Sequence, residues 1–362
     1  MAPRQWACSA LQEVNRLSTY VYAQNAELSM ILQDKLPILT MKDPLFDLMP
    51  IKSKDVARIV WDQRGNYVGL TSAREYDGGY GRVNRESVSR YGVDPAPYGD
   101  QKFMTEDWLT NLRQEGTFGT AIDLTEGQGG DQDHLITRMI QRIKLVGWTL
   151  FTTGTYSVLG PLGQLIMTDT FNLSPFNVAS AWANVATATP LLDLRNAKLR
   201  HRGHSVSFGR NARLFLNSQD VNSLLSNTNP NDLGAKRVIT VNEGAQPMTL
   251  ADVNRYMLEA DLPQVVEYDD SYLDENGNVN MFIPQGYGVL VGARDYGDPV
   301  AEFIFTRHAD LIRSGSKLGT GYFSNVYFDF ELKKNPARGI STLAFNGAPA
   351  FYFPSAIVPF RC

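Results

Sequence analysis

The chain has 362 residues, 43% of them hydrophobic and 20% charged, enough for one large domain or two to three small ones with a full core. Its 34 basic and 38 acidic side chains give a net charge of −4, which excludes a generally basic surface built for nucleic acid. Two cysteines, Cys8 and Cys362, stand near opposite ends, and there are four histidines. This excludes a disulfide framework and a cysteine zinc site, and it fits a reducing compartment.

The first residues, Met1 to Trp6, lack the apolar run of a signal peptide. Leu11, Val14, Leu17, Val21, Leu28 and Ile31 recur every three or four residues, predicting an amphipathic helix over 9–33 with Ser9 as cap. Pro37, Pro44 and Pro50 then punctuate an extended tract whose apolar residues (Ile38, Leu39, Leu45, Phe46, Leu48, Met49) suit an arm lying on another surface. Residues 52–103 change character. Val56, Arg58, Val60 and Asp62 alternate with Ala57, Ile59 and Trp61, Gly65-Asn66 offers a break, and 74–82 mixes charge, glycine and tyrosine. The block is too polar for a core and too strand-like for disorder. It predicts a projecting hairpin resting on a partner, because an isolated two-stranded ribbon is marginal in water.

After Gly127-Gln-Gly-Gly130, Asp131 can start a helix whose apolar stripe is Leu135, Ile136, Met139, Ile140, Ile143, Val146 and Leu150. Residues 145–192 carry a single charge, Asp169, and predict the middle of the core. The uncharged run 145–168 is long enough to span a bilayer, but its threonines and the Gly160-Pro161 break favour a buried soluble segment. A second helix is predicted over 178–199, kinked at Pro190. Beyond it the pattern gives strands at 206–208 and 214–216 and a helix over 218–225. Thr249-Leu-Ala-Asp252 caps a helix to Glu259. A strand follows at 264–268, then an Asn276-Gly277 hairpin between 272–273 and 279–283, and a strand at 288–292. Closing strands fall at 326–332, 339–345 and 351–358.

Chemical motifs do not assemble. Gly286-Tyr-Gly-Val-Leu-Val-Gly292 puts its strand after the first glycine, whereas a dinucleotide loop needs it before. Gly315–Gly321 lacks the ending of a phosphate loop. His201 and His204 have no third ligand and are flanked by Arg200 and Arg202, so they read as an exposed basic turn. Asp269, Asp270, Asp274 and Glu275 cluster, but the spacing fails for calcium and suits a solvated turn. No nucleophile, base and orienting group come together, so no catalytic residue, cofactor or metal is expected. Arg195–Arg210 is a local basic run with Phe208 its single aromatic, which suits at most sequence-independent phosphate contact.

The order of these elements resembles the major capsid proteins of tailed bacteriophages, the lambda-like capsid protein E group with the Hong Kong ninety-seven fold. The stretch from Gln264 to Gly292, with its strand, Asn-Gly hairpin, Ile283-Pro284 and buried strand, carries the likeness most specifically. The helix Leu250–Glu259 and the final Ala356-Ile-Val-Pro359 strand match in position. The resemblance implies an α+β fold divided into an N-terminal arm (1–50), an extended E-loop (51–104), a P-domain with a spine helix (105–190), an A-domain (191–330) and C-terminal strands returning to the P-domain (331–362). It implies a non-enzymatic structural protein forming hexamers and pentamers of an icosahedral shell around double-stranded DNA. The virion is its place, after assembly in the bacterial host cytoplasm.

Its implied partners are further copies of itself, a portal, a cement protein in some relatives, and DNA held weakly, with no membrane. The short segment before the E-loop predicts scaffolding as a separate polypeptide. The subunit contacts are expected on the hairpin, at Arg74, Glu75, Tyr76, Asp77, Tyr80, Arg82, Arg85, Glu86, Arg90 and Tyr91. Two rival readings are a same-fold bacterial compartment enclosing cargo and a hydrolase using the carboxylates 269–275.

Overall fold

Two five-stranded sheets are joined by one long helix in the computed structural model of the chain. It describes residues 20–21, 40, 42–64, 71, 73–80, 88–112, 122–160, 164–200, 206–233, 239–240, 244–245, 248–274, 276–294, 299–314 and 325–362. The trunk of the main sheet is Ala337–Phe351, which pairs antiparallel with Val326–Lys334 over 337–345, with Ala96–Met104 over 339–347 and with Ala301–Thr306 over 346–351. Ile51–Ser53 adds to Ala301–Thr306 in parallel. The second sheet runs Gln264–Glu267, Arg213–Leu216, Tyr287–Val291, Ile357–Arg361, Phe176–Asn177. Mixed sheets carrying helices on their faces make this an α+β fold.

The helix Thr125–Thr153 has 29 residues, a rod of about 44 Å at 1.5 Å per residue. Its aromatic end locks the sheets together. The Trp148 ring lies 5.4 Å from Phe215 of the second sheet, and Phe151 lies 5.9 Å from Phe351 of the main sheet. Gly154 stops the helix at φ +74°, its N–H donating to the Leu150 carbonyl at 2.8 Å. Glycine adopts that left-handed geometry without strain.

Several local signals are realised. Thr249 and Asp252 form a reciprocal capping box on Leu250–Glu259. Ser271–Leu273 and Val279–Met281 pair around Gly277, at φ +81°. Gly286 makes the turn into Tyr287–Val291, so the glycines there serve a strand.

Other expectations need correction. The long helix begins at Thr125, before the expected Asp131, and so contains Gly127, Gly129 and Gly130. Trp108 and Met104 pack against the Gly127 backbone, and that tertiary contact overrides the weak helix propensity of glycine. Pro190 opens the helix Pro190–Arg200 and does not kink a longer one, because a first-turn proline has no N–H to lose. Tyr20–Val21 is a strand paired in parallel with Ile122–Asp123, against the predicted amphipathic helix, whose remaining residues lie outside those described. The proline tract contains the one-turn helix Leu45–Leu48, with Leu45, Phe46 and Met49 buried.

Ala96–Met104 and Ala301–Thr306 are strands that local pattern does not announce. The closing strands expected at 339–345 and 351–358 are one strand, Ala337–Phe351, and then Ile357–Arg361 after a turn. That last strand pairs with Tyr287–Val291 in the second sheet, while 301–306 joins the main one. The pairing thus joins residues on both sides of position 330 in each sheet. The run 145–192 is core only in part, since Leu165–Thr170 faces solvent. Among the described residues no helix is long and apolar enough to cross a membrane.

Candidate assembly surface

Strands Ile59–Arg64 and Val88–Val93 pair antiparallel as a two-stranded ribbon outside both large sheets. Alternation puts Ile59, Trp61 and Val93 inward, where they are buried, and Val60, Asp62 and Arg90 outward. Trp61 is the anchor. Its Nε1–H donates to the Phe351 carbonyl at 3.1 Å, and its ring meets Tyr91, Phe171 and Tyr352 at centroid distances of 6.1, 6.3 and 6.2 Å. On the outer face Arg90 grips Asp62 through two nitrogens at 2.9 and 3.4 Å, and Arg58 pairs with Asp94 at 3.0 Å.

Between these strands in sequence, residues 73–80 form a self-bonded turn. The Gly78 N–H donates to the Glu75 carbonyl at 3.0 Å, and Asp77 takes φ +66°. Arg74 donates to the Gly78 carbonyl at 3.0 Å and lies 4.5 Å over the Tyr80 ring. The turn leaves Tyr76 fully exposed and Tyr80 83% exposed. Of the residues expected to meet neighbours, Arg74, Glu75, Tyr76, Asp77 and Tyr80 gather at this turn, and Arg90 and Tyr91 sit at the root. Arg82, Arg85 and Glu86 lie outside the described residues.

A second sticky element was missed by the sequence reading. Thr155–Leu159 and Leu165–Thr170 pair as a hairpin. Its inner strand is fixed by the Tyr156 hydroxyl, which donates to the Gly347 carbonyl at 3.1 Å. At its turn end Leu159, Leu165 and Ile166 are each more than half open to solvent. The signal was present: alternating Thr, Ser and apolar residues flank Gly160-Pro-Leu-Gly163. Lack of charge here marks an uncovered apolar face and not a core.

Described carboxylates and basic residues of the expected clusters are held by local partners. Asp274 accepts from the backbone N–H of Asn276 and Asn278 and from both asparagine amides at 278 and 280. These bonds, those of Asn278 foremost, hold its carboxyl below the usual range. Asp269 accepts from the Ser218 hydroxyl at 2.8 Å. In the basic run, Lys198 is held by Asp261 at 2.5 Å and Arg200 by Ser174 at 3.1 Å. His201, His204 and Glu275 lie outside the described residues, as do residues 315–320 and Gly321. Among the described residues no group of three His, Cys, Asp or Glu could hold a metal. A groove of about 400 Å³ by Phe103, Thr105, Glu106, Pro336 and Arg338 opens broadly to solvent.

No protein-family model matches the chain, and no curated protein matches it in sequence. Solved structures do match. A phage-related protein from Bordetella bronchiseptica RB50 aligns at 12% identity over 90% of this chain and 96% of its own, with a TM-score of 0.50. The chain shares that protein's fold. Weaker likenesses are the capsid of a native GTA particle (10% identity, 88% and 89% coverage, TM-score 0.46) and the capsid of cyanophage P-SCSP1u (8%, 87% and 86%, 0.45).

Proposed function

We propose that the chain is the shell-forming subunit of a tailed-phage capsid, assembling with copies of itself into pentamers and hexamers. One observation carries the reading: the buried Trp61 locks the ribbon Ile59–Arg64/Val88–Val93, and the turn 73–80 between its two strands in sequence presents Tyr76 and Tyr80, with Arg74 over the Tyr80 ring, to solvent. Exposed tyrosine and arginine are what subunit contacts favour. The bare hairpin at Leu159, Leu165 and Ile166 adds a second contact face, and the phage-related fold supports the same conclusion.

On this reading the arm, E-loop, P-domain and A-domain are the working parts of a virion protein without catalytic role. A scaffolding protein and a portal are its further partners on this reading. Packaged double-stranded DNA is held weakly, because Asp261 already neutralises Lys198 in the basic run. Mass photometry of the purified chain tests the proposal. Capsomer-sized rings or closed shells are expected, and a stable monomer at micromolar concentration would overturn it.

A further inference from the structure

Lys144 lies in the middle of the long helix, its side chain only 12% exposed. Its Nζ is 2.5 Å from Asp43 Oδ2 and 2.5 Å from Asp270 Oδ2. The Phe282 and Tyr268 rings stand 5.0 and 5.9 Å from it. The Tyr268 hydroxyl donates to Asp43 Oδ2 at 2.8 Å, and Asp43 Oδ1 accepts the Leu45 N–H at 2.9 Å. Burial, with the Asp43 charge beside it, pushes the Tyr268 phenol up, so it stays a donor. The two carboxylates differ. Asp270 is 58% exposed and has water as an alternative partner, whereas Asp43, 7% exposed, has little.

One buried cation therefore ties three pieces of chain together: segment 42–50, the long helix, and the turn after Gln264–Glu267. We infer that Lys144 is a joint, whose charge seats residues 42–50 on the long helix and so fixes the approach to the ribbon. The segment rests on Leu45, Phe46 and Met49, with Leu45 and Met49 against Gly147. It leads directly to Ile51–Ser53 and then to the ribbon strand Ile59–Arg64. A buried carboxylate without its cation is strongly unfavourable. The helix and sheets are held by their own hydrogen-bond ladders, so the short segment carrying Asp43 is the piece that moves to reach water.

Hydrogen–deuterium exchange on the full-length chain tests this and does not depend on the capsid reading. Lys144→Met should raise exchange over 42–50 by roughly tenfold or more, while amides of Ala337–Phe351 keep their protection. Lys144→Arg should retain most of the protection. The double variant Lys144→Met with Asp43→Asn should restore it, because no buried charge is left unpaired. Unchanged exchange over 42–50 in Lys144→Met, a rise spread over both sheets, or no restoration in the double variant would each overturn the joint.

Discussion

Trp61 shows how much one side chain decides. It is the ribbon's one indole, with three aromatic contacts and a hydrogen bond to the main-sheet trunk. Trp61→Ala should therefore cost about 3–5 kcal/mol, read as a lowered urea midpoint, with the ribbon losing its root. Asp193 makes a different test. It accepts the Trp182 Nε1–H at 3.0 Å, yet burial pushes its carboxyl above the usual range. A raised folded pKa means stability present below the unfolded value, about 4, and lost as pH rises through the folded one. An asparagine in its place keeps the acceptor and does not titrate. The urea midpoint of Asp193→Asn should gain on wild type from pH 4 to pH 7, and a constant gap would refute the assignment. Trp61 was legible as an inward residue from simple alternation. Its partners were not, because Phe351 lies 290 positions away.

At the scale of elements, local chemistry and tertiary pairing divide the outcome. The capping box at Thr249 and the Asn276-Gly277 turn were readable because their hydrogen bonds close within a few residues. Ala96–Met104 was not, since Pro97, Gly99 and Asp100 carry no strand signal and pairing with Ala337–Phe351 makes the strand. The glycines at the start of the long helix allow a direct check. A Cβ on Gly129 would meet nothing within 4 Å, whereas one on Gly147 would press into Met49 and Leu45 at 2.6 and 2.9 Å. Gly129→Ala should stabilise by up to about 1 kcal/mol, and Gly147→Ala should destabilise, by thermal melts. The ribbon's length also matters for design. Cutting 71–92 would remove the strand Val88–Val93 and uncover Ile59 and Trp61. Replacing 65–87 with an Asn-Gly turn keeps the root, so the shortened chain should melt within a few degrees of wild type and yet fail to close shells. Ile166→Glu should likewise leave folding intact and weaken association, since the side chain is 53% exposed.

For the whole molecule, the two exposed elements matter through repetition. Ribbon and hairpin are different surfaces of one chain, so on the proposed capsid reading copies would meet through unlike patches, the heterologous geometry that closes rings. Each contact can then be modest, about 2 kcal/mol per aromatic or arginine anchor, and still hold a closed assembly once every copy makes several. A net charge of −4 gives the chain no general attraction to nucleic acid. The overall α+β architecture was visible in the order of elements. The split of the C-terminal strands between two sheets was not, because sheet membership is settled by pairings between residues far apart in the chain. Cryo-electron microscopy of the expressed chain, alone and with its 65–87 segment replaced, tests the central claim most directly. The account predicts closed shells of five- and six-fold rings with the ribbon of each copy lying on a neighbour, and open or absent assemblies for the shortened chain. Well-folded monomers from the intact chain, or normal shells from the shortened one, would contradict it.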